Sequence, residues 1–99
     1  MDITVQGRHL EITDAIREYT SEKVARIGRF FARIQKVEVV AEKLDNRHFE
    51  VEIIAHVAHH EHFVAKGKGD DLYGCVDQTV GKIERQLHDH KEKLNAHHR

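Results

Sequence analysis

The stretch VEVVAEKLDNRHFEVEIIAHVA, residues 37–58, decides how the chain folds. VEVVAEKL (37–44) and FEVEIIAHVA (49–58) alternate apolar with polar residues and are rich in β-branched side chains. That pattern suits a pleated strand with one buried face. Between them Asp45, Asn46 and Arg47 supply turn chemistry, so the two strands are expected to pair antiparallel. Beyond a tight connection at His59–His60, HEHFVAKG (60–67) reads as a third strand and extends the pair into a meander.

Working outward, both flanks turn helical. A long helix is expected from Asp70, with Asp70 and Asp71 capping its start. Its apolar stripe is Leu72, Val76, Val80, Ile83, Leu87 and Leu94. Upstream, ITVQGR (3–8) reads as a strand, followed by a helix over about residues 14–33 with Thr13 as N-cap. Its stripe is Ile16, Thr20, Val24, Ile27, Phe31 and Ile34. The order is β-α-β-β-β-α and the class α+β. A right-handed first crossover makes the first two strands parallel. Two amphipathic helices then pack on one face of a four-stranded mixed sheet, leaving the other face wet.

The 99 residues fit one domain, read as 1–95 with a flexible tail at 96–99. The lone Cys75 excludes an internal disulfide framework and fits a reducing compartment. No apolar run nears the ~20 residues of a membrane span. The start MDITVQGRHL has no leader pattern, so a cytoplasmic protein is expected.

Formal net charge is −1, yet the charges are segregated. Residues 14–36 hold six basic and three acidic side chains, and residues 37–62 two basic and six acidic. At 100° per residue, Lys23, Arg26, Arg29 and Arg33 form a stripe beside the core face of the first helix, with Lys36 at its exit. These cations are expected to lack acidic partners at i±4. On the second helix Lys82, Arg85, Gln86 and Lys93 share a face diluted by Asp89, with Lys91 on the far side of the core and Lys66 and Lys68 approaching from the strand below. Charge alone leaves two readings: a solvated surface, or a footprint for phosphates, which arginine forks bind bidentately. Phe49 and Phe63 sit where core residues are expected, so the strands offer no aromatic platform for single-stranded bases.

The second helix also carries a resemblance. Asp70-Asp71, Leu72-Tyr73, Asp77, Lys82, Arg85-Gln86-Leu87 and His90-Lys91-x-Lys93 resemble, at matching spacing, the ending of the bacterial ribosome hibernation promoting factor family. That family includes the ribosome-associated inhibitor. The segment ITVQGRHLEITDAIREYTSEKVARIGRFFARI (3–34) is similar to the family's first strand and helix. The resemblance covers nearly the whole chain. It implies a fold similar to a double-stranded-RNA-binding domain, lodged in the small ribosomal subunit between head and body. There it would block mRNA and A- and P-site tRNA, silence translation in stationary phase and promote inactive ribosome dimers. The rRNA contacts would come from Lys23, Arg26, Arg29 and Arg33, from Lys82, Arg85, Gln86, Lys91 and Lys93, and from Lys66 and Lys68. With neither a dimerising C-terminal domain nor an acidic tail, the chain resembles the short form. The alternatives are an inhibitor that does not promote dimers, and a generic duplex-RNA-binding or transcription-modulating protein.

Other patterns are weaker. Among ten histidines, His56, His60 and His62 share a strand region, but neither H-E-x-x-H nor C-x-x-C occurs, so no metal and no cofactor are expected. Protonation of His88 and His90 would add positive charge on mild acidification. Cys75 reads as a small packing residue, since nothing nominates a base for it. No enzymatic activity, small-molecule substrate or membrane partner is expected, and the free protein is expected to be monomeric.

Overall fold

The structure, a computed structural model, describes residues 1–59 and 62–97, and for residues 30 and 95–97 the backbone alone. Its elements are β1 (Asp2–Arg8), α1 (Asp14–Phe30), β2 (Ile34–Lys43), β3 (Phe49–Val57), β4 (Phe63–Gly69) and α2 (Leu72–His97). The strands lie in the order β1-β2-β3-β4. β1 pairs with β2 in parallel, and β2 with β3 and β3 with β4 antiparallel. The predicted β-α-β-β-β-α order and mixed sheet are therefore the observed ones.

The 45–47 turn closes as its residues dictate. The Asp45 carboxylate accepts the Arg47 backbone N–H at 2.8 Å, an Asx turn, and the Leu44 N–H meets the His48 carbonyl at 2.9 Å. Thr13 caps α1, its hydroxyl oxygen accepting the Ile16 N–H at 3.2 Å. Asp71 performs the same service for α2, accepting the Tyr73 N–H at 3.2 Å.

Strand alternation delivers the core. Val37, Val39 and Ala41 of β2, Val51, Ile53, Ala55 and Val57 of β3 and Ala65 of β4 are buried against the helices. Val24 and Ile27 of α1 and Leu72, Val76, Val80, Ile83 and Leu87 of α2 complete it. Gly67 is needed here: a Cβ on it would lie 2.4 Å from Thr79 Oγ1 and 2.6 Å from Gln78 Oε1, so α2 sits this close to β4 only over bare backbone. Thr79 is fully buried but satisfied, donating to the Cys75 carbonyl at 2.7 Å.

The end of α1 departs from expectation. The helix stops at Phe30 rather than near 33, because Phe31 is extended (φ −136°, ψ 99°), its N–H still held by the Ile27 carbonyl. Phe31 and Ile34 are buried, as the helical spacing requires, but from a turn and the start of β2. The β-branched run from Ile34 gains ladder hydrogen bonds on both sides, which helix continuation would forfeit. Strand limits shift too: β2 begins at Ile34 rather than 37, and β4 runs Phe63–Gly69, while the expected start at 60 lies outside the described residues.

Candidate nucleic-acid interface

The two helices run the same way. Tyr19 meets Asp77 near their beginnings, and Phe31, just past α1, lies 6.0 Å from the ring of His90. They form a layer whose outer surface holds most of the sequence-predicted site residues.

On α1 the structure brings Lys23, Arg26 and Arg29 along one shallow groove. Arg26 and Arg29 are exposed, and among the described residues neither has a carboxylate within ion-pair distance. One acidic residue does stand on this stripe, contrary to expectation: Glu22, a turn before Arg26, lines the same groove without closing a bridge. Arg33 continues the row beyond the helix, in the turn to β2, where its carbonyl accepts the Ala58 N–H at 3.1 Å. Lys36 leaves the stripe altogether. It lies on β2 with its ammonium 3.6 Å from Glu38, because the helix ended six residues earlier.

Lys23 is held differently. Its Nζ lies 3.6 Å from Asp77 Oδ1 and 5.4 Å from the centre of the Tyr19 ring, while the Tyr19 hydroxyl donates to the same oxygen at 2.8 Å. Asp77 thus fixes a cation of α1 from α2. Its hydrogen bond, with burial and the negative charge adding, raises the Tyr19 phenol above its ordinary value. Tyr73 completes the cluster with an edge-on contact to Tyr19, ring centres 4.8 Å apart. Tyr19 carries no signal in the sequence for this role, since its partner is 58 residues away.

On α2, Lys82 and Gln86 are side by side and turned toward the free edge of β4. Lys82 Nζ donates to the Lys66 carbonyl at 2.7 Å and Gln86 Nε2 to the Val64 carbonyl at 3.0 Å. These bonds satisfy edge carbonyls that would otherwise invite another strand. Arg85 stands exposed beside them, lining the same groove as Asp89, and Lys91 and Lys93 are exposed further along. Among the described side chains of α2, Leu87 is the last that is fully buried, and the two lysines follow it.

Lys66 and Lys68 do not join the helical layer. In β4 the inward positions are Ala65 and Gly67, so the lysines between and after them point to the open face. There Lys66 lies 3.7 Å from Glu52 and Lys68 3.7 Å from Glu50, its directly paired neighbours on β3. Strand alternation, rather than proximity in the sequence to α2, sets their side.

Several of the described histidines are engaged. His56 Nε2 lies 2.6 Å from Glu38 Oε2, its ring 4.0 Å from that of His62. His88 lies 3.6 Å from Glu92, and His90 packs against Phe63 at 5.1 Å. Among the described residues no group of three or more His, Cys, Asp or Glu is arranged to hold a metal; His60 lies outside them. Cys75 is buried, and burial, with Asp71 and Asp70 adding, pushes its thiol up, which suits packing and opposes nucleophilic chemistry.

Residues 3–95 match the sigma 54 modulation protein / S30EA ribosomal protein family. The ribosome hibernation promoting factor of Azotobacter vinelandii is 39% identical over 95 residues, covering 94% of this chain and 85% of that protein. The factor of the same name from Escherichia coli K12 is 35% identical over 97 residues, covering 98% and 100%. Among solved structures, a ribosomal subunit interface protein from Coxiella burnetii superposes with a TM-score of 0.84 at 26% identity, over 93% of this chain and 99% of that one. The N-terminal domain of Thermus thermophilus Protein Y gives 0.79 at 33% identity, over 88% and 96%.

Proposed function

This chain belongs to the sigma 54 modulation protein / S30EA ribosomal protein family, whose ribosome-binding members catalyse no reaction, and on that premise we propose that it is a ribosome hibernation factor that silences translation by occupancy. Residues 1–95 act as one ribosome-binding domain in the cytoplasm. The domain seats in the decoding channel of the small subunit with its helical layer against rRNA. There it excludes mRNA and the A- and P-site tRNAs when growth stops, and it favours inactive ribosome dimers.

The observation that carries this reading is the α1 row. Arg26 and Arg29 are exposed with no carboxylate in ion-pair reach among the described residues, while Lys36, Lys66 and Lys68 on the sheet are each matched by a glutamate. A-form RNA is gripped through its phosphates and shape, and a guanidinium is suited to bidentate phosphate bonding. Lys23 and Arg33 extend the row on α1's side; Arg85, Lys91 and Lys93 supply the second line on α2. Lys82 and Gln86 contribute where their bonds to the β4 edge leave donors over. Lys66 and Lys68 flank the interface from the open face.

Sedimentation of the purified chain with isolated small subunits tests the reading. Co-sedimentation that weakens with salt is expected, log K falling by ~0.7–0.9 per neutralised phosphate for each tenfold rise in concentration. Bound mRNA and P-site tRNA should compete. Equal or better binding to free duplex RNA would favour a generic duplex binder instead. Ribosome profiles of stationary-phase cells with and without the chain separate dimer promotion from blockage alone.

A further inference from the structure

The Tyr19–Tyr73–Asp77 cluster has a composition that phosphate binding does not explain. We propose that Tyr73 and Asp77, held by Tyr19 and Lys23, form a subsite for one unpaired nucleobase bearing amino or imino donors, a guanine or a cytosine. The proposal rests on the ribosomal reading and specifies what one corner of that interface recognises.

Tyr73 is among the few large apolar side chains left exposed, at 39% of its surface, in the first turn of α2. Its contact with Tyr19 is edge-to-face, with the rings 89° apart. Whichever ring supplies the edge, at least one face of Tyr73 is left free of Tyr19. Such a face stacks on a base splayed out of an RNA helix, the usual way single-stranded positions are held. Phe49 and Phe63, by contrast, pack on the core and offer no such face.

Asp77 supplies the second half. Its Oδ1 takes both the Tyr19 hydroxyl, at 2.8 Å, and the Lys23 ammonium, at 3.6 Å, which fixes the carboxylate. Oδ2 has no hydrogen bond among the described residues, and the side chain is 49% exposed. A fixed carboxylate on a cationic surface repels a phosphate, so it is misplaced for backbone contact. It is well placed to accept hydrogen bonds from cytosine N4 or from the Watson–Crick edge of guanine. Lys23 lies both on Asp77 and in the Arg26–Arg29 groove, so the subsite adjoins the arginines that would hold the phosphate of the same nucleotide while the base turns to Tyr73.

The test compares Y73F, Y73L and D77N with the unaltered protein, measuring affinity for small subunits at several salt concentrations and rRNA protection from base-modifying reagents. Thermal melting controls for folding. Y73F should bind normally. Y73L should bind about tenfold more weakly with an unchanged salt slope, since stacking releases no counterions. D77N retains an oxygen for the Tyr19 hydroxyl but exchanges the other for a donor. It should lose protection of one guanine or cytosine edge that the unaltered protein shields. Normal affinity and an unchanged footprint in both Y73L and D77N would overturn the subsite, even if melting temperatures fell, and would leave Asp77 a latch between helices. Failure of the unaltered protein to bind subunits would remove the ribosomal reading itself, and the subsite with it.

Discussion

The helical layer and the open sheet face treat their cations in opposite ways. On the sheet, Lys36, Lys66 and Lys68 each lie within 3.7 Å of a glutamate on their own or the adjoining strand. On α1, Arg26 and Arg29 project without such a partner among the described residues. Neutralised charges solubilise a surface but exert little field beyond it. Cations left without countercharge keep their attraction for an external polyanion, at the cost of mutual repulsion in the free protein. Lys23 is intermediate, a cation tethered by Asp77.

The most forceful way to break this contrast is to reverse the helical row. Arg26, Arg29 and Arg33 all changed to Glu should abolish co-sedimentation with small subunits while circular dichroism and melting remain near normal, because none of the three is buried. Retained binding would show that the asymmetry of charge has no function.

A second substitution sharpens the contrast by separating stability from binding. Gly81 lies in the interior of α2, and a Cβ built on it meets nothing within 4 Å. Its smallness therefore serves no internal packing. Changing it to Ala should stabilise the fold by about 1 kcal/mol through helix propensity alone. Gly81 and Arg85 are four residues apart on one helical face. If phosphates come close there, the same variant should bind subunits less tightly although it melts higher. A tighter or unaltered complex would place the backbone elsewhere.

The sequence disclosed most of this architecture, and its failures share a cause. Alternation in 37–58 and the Asp45 turn are local signals, and so are the caps at Thr13 and Asp71, which is why these elements form in the expected order, although β2 enters three residues early and α2 starts at Leu72 rather than Asp70. The end of α1 was illegible because Phe31 and Ile34 obey helical spacing while lying on extended chain; burial fixes which side chains face the core, not the path between them. In the site, the α1 row followed from one helix's geometry. The duties of Lys82 and Gln86 did not, because their partners are backbone carbonyls 16 and 22 residues away. That Lys66 and Lys68 approach α2 from the strand below was legible, but their pairing with Glu52 and Glu50 was not, because it depends on the β3–β4 register.

The sheet side of the contrast gives smaller effects. Removing Lys66 and Lys68 as alanines deletes two exposed ion pairs, each worth roughly 0–1 kcal/mol, so melting should shift little. Because these lysines are already neutralised by Glu52 and Glu50, the salt slope of ribosome binding should fall far less than in a double alanine variant of Arg26 and Arg29. Equal falls would mean that the sheet lysines desert their glutamates for RNA and that both faces are wrapped.

The smallest effect concerns acid. Glu38 is held below its ordinary value of 4.5 chiefly by its hydrogen bond with His56, with Lys36 and the charge of His56 assisting against desolvation. A carboxyl with a lower folded than unfolded pKa binds fewer protons in the native state, so it contributes stability above the unfolded value and loses it as pH falls through the folded one. The Glu38→Gln variant should therefore melt slightly below the unaltered protein at neutral pH, with the gap closing once pH drops under 4.5. Ribosome affinity at neutral pH should be untouched, because this pair belongs to the face whose charges are spent on each other. A loss of affinity in that variant would instead tie the sheet's internal pairing to the grip of the helices.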